Sequence, residues 1–128
     1  MKKKKPFDVK RGSVYMVDLG SEDQVIGSEQ AHVRPVVVTQ TNRLNEKSPT
    51  VIVAIITSQI KKEKMDCHVI LPKIKGLPKQ SMVCCEQRRT IDKQRLLRYC
   101  CTLSDEVMAD VTRACHKAEE ADKNLRRW

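Results

Sequence analysis

The run Thr50–Thr57, with the sequence TVIVAIIT, constrains the fold of this 128-residue chain more than any other segment. Its β-branched residues favour a β-strand. A strand with one face in water alternates apolar and polar residues, but every position from Val51 to Ile56 is apolar. The run therefore predicts a strand covered on both faces. The surrounding core is predicted to be aliphatic, because aromatic residues make up only 3% of the chain.

Shorter apolar runs bounded by turn-forming residues predict further strands. Pro35, near the start of the run Val33–Thr39, is tolerated only where no ladder N–H is needed, at a strand entrance or a sheet edge. Residues 42–49 contain several turn formers and predict a connection, whereas residues 91–97 predict a short strand or a single helical turn. The remaining predicted strands are Ser13–Leu19, Cys67–Leu71, Ser81–Glu86 with a continuation to Thr90, and Arg98–Thr102.

A long C-terminal helix is predicted to begin after Ser104, a residue type favoured at the N-cap. Two acidic residues follow in the first turn, and Leu103 and Met108 are spaced for a hydrophobic staple. An apolar stripe at helical spacing consists of Val107, Val111, Ala114, Cys115, Ala118, Leu125 and Trp128. Short strands with one long helix predict a mainly β fold, in which a small, strongly bent antiparallel sheet or partial barrel carries the helix across it.

The length of the chain suits one domain, predicted over residues 9–128, after a flexible basic tail at residues 1–8. The formal net charge of +9 favours a polyanionic partner, although charge alone does not specify nucleic acid. The lysine-rich start has no apolar run behind it, and no segment approaches the ~20 apolar residues of a membrane span. We therefore expect a cytoplasmic protein without a membrane partner.

Six cysteines occur in the chain, at Cys67, Cys84, Cys85, Cys100, Cys101 and Cys115. Thiols of cytosolic proteins stay reduced, and the two Cys-Cys pairs lack the spacing of a C-x-x-C metal site. The cysteines are predicted to be small buried hydrophobic residues, with no metal site and no cofactor.

Polar side chains flank the two most apolar runs. Arg34 stands at the entrance of the second predicted strand, and Thr57 stands at the exit of the third. If these strands pair, the two side chains meet at one rim of the sheet, where the polar cluster Gly27–Gln30 also lies in sequence. This rim is the predicted functional site.

The segments around this rim, taken in order, resemble the MazF/PemK toxins. The resemblance covers residues 9–115 and rests on five motifs. They are KRGxVY from Lys10, GSEQ from Gly27, RPVVV from Arg34, VIVAIITSQ from Val51 and CEQxRTIDKxRL from Cys85. The resemblance implies an SH3-like barrel with added helices, working as a homodimer. It also implies the toxin of a type II toxin–antitoxin module, a metal-independent, sequence-specific endoribonuclease whose RNA groove a flexible C-terminal antitoxin segment blocks.

Residue roles follow from matching these motifs. Arg34 is expected to stabilise the charge on the scissile phosphate, and Thr57 to hold a phosphate oxygen or the 2′-hydroxyl in line. Where one branch of the family has a histidine and a second arginine, Ser28 and Cys84 stand here, which favours this arginine–threonine scheme and leaves the general base unassigned. The residues expected to bind RNA are Ser28, Glu29, Gln30, Gln59, Glu86 and Gln87.

Two other functions stay open at this stage. A relative of this fold poisons DNA gyrase without cutting nucleic acid, and a non-catalytic nucleic-acid-binding module would share the same charge. The three histidines, His32, His68 and His116, are expected to take no part in catalysis.

Overall fold

The computed structural model describes residues 8–20, 33–62 and 64–120. Within them, six strands form one antiparallel sheet in the order β4-β5-β3-β2-β1-β6. The strands are β1 Ser13–Asp18, β2 Val33–Val38, β3 Thr50–Thr57, β4 His68–Ile70, β5 Met82–Asp92 and β6 Leu96–Thr102. Two helices, α1 Asn42–Lys47 and α2 Asp105–Glu119, accompany the sheet. The predicted mainly β architecture with one long C-terminal helix is confirmed.

Strand β3 lies inside the sheet and is buried on both faces, as its sequence predicts. It pairs with β2 on one side and with β5 on the other. Ala54 and Ile56 belong to one core cluster, whereas Val51, Val53 and Ile55 belong to a second cluster on the opposite face. Successive side chains of a strand point to opposite faces, so the uninterrupted apolar run supplies both clusters at once.

Helix α2 covers the first of these faces. Ser104 is its N-cap, and the Ser104 hydroxyl accepts a hydrogen bond from the Val107 N–H at 3.2 Å. Leu103 and Met108 are both buried in the first cluster, together with Val111, Ala114 and Cys115. Ala118 is exposed, so its predicted place in the apolar stripe is wrong. The helix ends at Glu119, and the predicted stripe residues Leu125 and Trp128 lie outside the described residues.

The connection between β2 and β3 contains a helix that the sequence analysis missed. A pair of buried amides holds α1 in place: the Gln40 side chain donates to Asn45 Oδ1 at 2.9 Å, and the Asn45 side chain donates to the Gln40 carbonyl at 3.0 Å. Local turn propensity cannot reveal this pairing, because the pairing depends on burial of both side chains. The segment 91–97 divides into the end of β5, a 3-10 turn at Lys93–Arg95 and the start of β6.

The loop between β4 and β5 returns to the far edge of the sheet. Gly76 in this loop has a φ of +104°, and a Cβ at this position would lie 2.3 Å from the Cys100 carbonyl oxygen of β6. The backbone at Gly76 therefore runs close to the β6 backbone. Because β4 and β6 are the two end strands of the sheet, this approach brings its ends together and bends the sheet towards a barrel. Five of the cysteines are buried as predicted, and Cys100 is half-buried beside this contact.

Replacing Gly76 should therefore destabilise the closure of the barrel. We expect Gly76→Ala to lower the free energy of unfolding by about 1–3 kcal/mol, because a side chain is strained at this positive φ and the alanine methyl group would clash with the β6 backbone. Urea denaturation measures the difference. Lys75→Ala, at the exposed neighbouring position, is the control and should stay within about 0.5 kcal/mol of the parent. Equal stability of the two variants would contradict the closure.

Candidate nucleic-acid interface

The pairing of β2 with β3 controls where Arg34 and Thr57 lie. The ladder pairs Val38 with Val53, Val37 with Ala54 and Val36 with Ile55. Continuing the same antiparallel register by two residues sets Arg34 opposite Thr57. Directly opposed residues share a face, and their Cβ atoms are about 4.5–5.5 Å apart. Continued in this way beyond the last observed pair, Val36 with Ile55, the register would direct both side chains to one rim of the sheet.

Thr57 ends β3 with a buried side chain, only 7% exposed. Its hydroxyl oxygen accepts a hydrogen bond from the Gln59 N–H at 3.1 Å, which fixes the turn that follows the strand. This bond uses an oxygen lone pair and leaves the hydroxyl proton available for another acceptor. Arg34 is half-buried in β2, where it pairs with Val17 of β1.

A wide irregularity in β5 sets two further predicted residues apart from the ladder. Ala54 pairs with Arg88, but the next residue of β3, Ile55, pairs with Cys84. Cys85, Glu86 and Gln87 fall between these two pairs. Bulges of this kind re-aim side chains and are common beside functional sites. Glu86 is exposed and Gln87 is half-buried, as is expected of groups that could contact a ligand.

Glu86 has two partners from the neighbouring strand segment. The His68 Nε2–H donates to Glu86 Oε2 at 3.0 Å, and the Cys67 thiol also hydrogen-bonds the carboxylate. The other ring nitrogen of His68, Nδ1, donates to the Lys62 carbonyl oxygen at 2.9 Å. Because both ring nitrogens face acceptors, the imidazolium form satisfies both bonds.

These contacts shift the pKa values of the pair. Desolvation alone would lower the pKa of His68, but the hydrogen bonds to Glu86 and to the Lys62 carbonyl outweigh it, and the pKa is raised. Desolvation would raise the pKa of Glu86, yet the bond from His68 and further donors hold that pKa below its ordinary value. Burial, reinforced by the Glu86 charge, raises the pKa of the Cys67 thiol. Both shifts favour the ionised carboxylate of Glu86 and the protonated imidazole of His68.

The structure places some of the predicted site residues on one sheet and leaves others undescribed. Arg34 lies in β2, Thr57 ends β3 with Gln59 in the turn that follows, and Glu86 and Gln87 lie in the β5 bulge. Ser28, Glu29 and Gln30 lie outside the described residues. His68 was expected to take no part in catalysis. Its bond to Glu86 depends on β4 pairing with β5, which no local sequence signal reveals.

A cavity of about 260 Å³ lies elsewhere, beneath α2 and α1. Its lining includes Arg11, Gln40, Arg88 and Cys115, and none of the predicted site residues contributes to it. The candidate site is therefore separate from this pocket. No helix among the described residues is long and apolar enough to cross a membrane.

The His68–Glu86 pair predicts a pH-dependent contribution to stability. Because the His68 pKa is raised, the stabilisation that His68 contributes is complete below its ordinary pKa of 6.5. Because the Glu86 pKa is lowered, the stabilisation that Glu86 contributes is complete above its ordinary pKa of 4.5. In EDTA-containing buffer, the difference in free energy of unfolding between the parent and Glu86→Gln should be largest between pH 4.5 and pH 6.5. The difference should shrink as the pH rises through the His68 pKa.

Urea denaturation across pH 4 to 9 measures this difference. Glu46→Gln, which removes an exposed carboxylate from α1, is the matched control. A stability difference between the parent and Glu86→Gln that stays constant above pH 6.5 would contradict the charged pair.

Comparisons with known proteins show what this chain is similar to. A family model described as the PemK-like, MazF-like toxin of type II toxin-antitoxin systems matches residues 10–118. Endoribonuclease EndoA of Bacillus subtilis (strain 168) is 50% identical over 107 residues, which cover 83% of this chain and 90% of that protein.

Solved structures share the fold at lower identity. MazF of Deinococcus radiodurans superposes with a TM-score of 0.71 at 20% identity, covering 85% of this chain and 94% of that one. An endoribonuclease from a mycobacterial species, solved in complex with its cognate antitoxin, has a TM-score of 0.70 at 21% identity, covering 86% and 93%. The barrel-like fold expected from the sequence is confirmed by these neighbours.

Proposed function

This chain belongs to the PemK-like, MazF-like toxins of type II toxin–antitoxin systems, and from that premise we propose that it is a sequence-specific endoribonuclease acting on single-stranded RNA. The observation that carries the residue assignment is the β2–β3 register, which on extension sets Arg34 opposite Thr57. The 50% identity to an endoribonuclease over most of both chains supports the reaction class.

The proposed reaction uses the 2′-hydroxyl of the RNA as nucleophile. The 2′-hydroxyl gives up its proton to a general base that is left unassigned, and its oxygen forms a bond to the adjacent phosphorus. The bond from phosphorus to the 5′-oxygen breaks, and the leaving 5′-oxygen takes up a proton. The products are a 2′,3′-cyclic phosphate and a 5′-hydroxyl, and no metal ion takes part. The phosphate gains negative charge in the transition state, so a preorganised cation beside it lowers the barrier.

Arg34 and Thr57 supply complementary parts of this chemistry. The planar guanidinium of Arg34 offers paired donors that match two phosphate oxygens, and it is the proposed donor of a proton to the leaving 5′-oxygen. The Thr57 hydroxyl, positioned by its bond with Gln59, holds a phosphate oxygen or the 2′-hydroxyl in line. Burial of the threonine limits its rotation, which favours one orientation of the hydroxyl.

Side chains next to this pair are proposed to read the RNA bases. Gln59 lies two residues after Thr57 on the exposed turn, and Gln87 lies in the β5 bulge. The ionised Glu86 carboxylate is an acceptor that suits an exocyclic amine of a base. Ser28, Glu29 and Gln30 complete the proposed reading surface. Because aromatic side chains are scarce, recognition would rely on hydrogen bonds to splayed bases and on basic charge more than on stacking.

The proposed partners are a second copy of this chain and a cognate antitoxin. Leu97 and Tyr99 are about half exposed on β6, an edge strand of the described sheet, and suit contact with another protein surface. The antitoxin is proposed to place a flexible C-terminal segment over the rim that would otherwise bind RNA. The proposed location of the protein is the cytoplasm.

The central test is cleavage by Arg34→Ala in excess EDTA. We expect a loss of at least about 10²-fold in the cleavage rate, because the variant lacks the charge that stabilises the phosphate. Arg113→Ala removes an exposed arginine from α2 and should cleave like the parent. Circular dichroism and RNA-binding measurements check that Arg34→Ala is folded and still binds. Unchanged cleavage by Arg34→Ala would refute the assignment.

A second test concerns Thr57 and the nucleophile. Thr57→Val keeps the shape of the buried side chain and removes the hydroxyl, so we expect cleavage to fall by about 10–10²-fold, whereas Thr57→Ser should retain most of it. A substrate with a single 2′-deoxynucleotide before the scissile phosphate should resist the parent enzyme, and its all-RNA counterpart should yield a cyclic phosphate. Cleavage of the deoxy-substituted substrate would exclude the proposed nucleophile.

The same assay distinguishes the two other candidate functions. RNA that is bound but stays intact would favour a non-catalytic nucleic-acid-binding module. Intact RNA together with inhibition of DNA gyrase would favour a gyrase-directed toxin.

A further inference from the structure

A cluster of three different donor groups stands beside the β5 bulge. The Cys67 sulfur, a His68 ring nitrogen and a Glu86 carboxylate oxygen all lie within 4.8 Å of one another. A tetrahedral zinc ion with bonds of about 2.0–2.3 Å separates its ligand atoms by about 3.3–3.8 Å. The cluster is thus close to the size of a zinc site, with the Nε2 to Oε2 distance of 3.0 Å needing only a small expansion.

The orientation of His68 is a second and independent sign of a site for a metal ion. A histidine that binds a metal through one ring nitrogen usually donates its other N–H to a carbonyl or carboxylate, which fixes the ring. Here Nδ1 donates to the Lys62 carbonyl at 2.9 Å, so Nε2 faces Cys67 and Glu86. Lys62 has a φ of 51°, a strained value for a residue with a side chain, and the turn it forms presents this carbonyl.

Burial divides the cluster in a way that suits a bound ion. Cys67 is 5% exposed and the His68 side chain is 6% exposed, so neither donor moves freely. The Glu86 side chain is 36% exposed and leaves one side of the cluster open to solvent. Three protein ligands and one open position are therefore available, and water or another small ligand would fill the fourth.

We propose that Cys67, His68 and Glu86 bind a single thiophilic divalent cation, with Zn²⁺ as the preferred ion. A thiolate and an imidazole favour Zn²⁺ over Mg²⁺ or Ca²⁺, which prefer oxygen ligands. On binding, Cys67 gives up its thiol proton and His68 gives up the Nε2 proton, and both protons pass to the solvent. The ion replaces the hydrogen bonds that now join the three side chains.

Zinc at this site inhibits rather than assists the nuclease, and this step rests on the proposed function. The ion would bind the Glu86 carboxylate, which is proposed to contact a base. It would also restrict movement of the β5 bulge beside Gln87. The cleavage chemistry at Arg34 and Thr57 needs no metal. Binding and inhibition can therefore be measured separately.

The binding test uses Co²⁺ as a spectroscopic substitute for zinc, on the full reduced chain without oxygen. We expect one equivalent of Co²⁺ to produce a thiolate-to-cobalt charge-transfer band that one equivalent of Zn²⁺ removes. Cys67→Ser should abolish the band, and His68→Gln and Glu86→Gln should weaken Co²⁺ binding at least tenfold. Cys100→Ser and His116→Gln change a cysteine and a histidine outside the cluster and should bind like the parent.

Two outcomes would overturn the site. The first is a parent protein that shows no charge-transfer band with Co²⁺ at micromolar concentration. The second is a band that persists in Cys67→Ser while Cys100→Ser loses it. Glu86→Gln keeps the test decisive if Cys67→Ser fails to fold, because it changes the one group of the cluster that is open to solvent.

The inhibition test compares cleavage with and without Zn²⁺. Cys67→Ser should cleave RNA in EDTA as the parent does but should lose most of the inhibition by Zn²⁺. Equal inhibition of both proteins would overturn the inhibitory role. Absence of cleavage by the parent in EDTA would instead count against the proposed nuclease, whereas the Co²⁺ titration would still decide the metal site.

Discussion

The hydrogen-bonded register between β2 and β3 is the constraint on which the rest of the structure depends. It joins two strands that are both deeply buried, so a slip by one residue would turn each valine and isoleucine to the opposite face. The same register that matches the two core clusters also carries Arg34 towards Thr57. Stability of the core and geometry of the rim therefore have one cause, and substitutions that shift β3 would affect both.

The second determinant is the interruption of β5. A regular ladder would continue the pairing from Cys84 without a gap, but here the residues between Cys84 and Arg88 leave it. The freed segment places Glu86 against His68 of β4. This contact links the predicted RNA-reading surface to a segment of β4 that the family motifs do not include, and it creates the Cys67–His68–Glu86 cluster. The β5 bulge thus exposes Glu86, a side chain that is proposed to bind either an RNA base or a metal ion.

Membership in a toxin family and possession of its fold answer different questions. The fold, shared with structures of about 20% identity, only shows that a rim of this shape is available. The closer relationship, at 50% identity, supports the reaction class. The proposed arrangement of Arg34 and Thr57 would give a physical reason for that reaction, because metal-free cleavage needs a cation and a positioning hydroxyl on one phosphate.

Sequence alone predicted most of the strands, the helix N-cap at Ser104 and the burial of the cysteines, because these depend on local propensity and periodicity. It also singled out Arg34 and Thr57 through their places at strand ends and their match to family motifs. It missed helix α1, placed Ala118 wrongly in the buried stripe and gave no sign that His68 would bind Glu86. Each of these depends on burial or pairing in the folded chain: the buried Gln40–Asn45 amide pair, the area that α2 covers, and the pairing of β4 with β5.

The amino-acid sequence by itself determined a small aliphatic β fold capped by a helix, with an arginine and a threonine at the ends of two apolar runs. Only the tertiary structure decided which strands are neighbours, and hence which of the scattered polar groups share a surface. The physical reason is that strand propensity is local, whereas hydrogen-bond register and the closure at Gly76 are set by contacts between segments far apart in the chain.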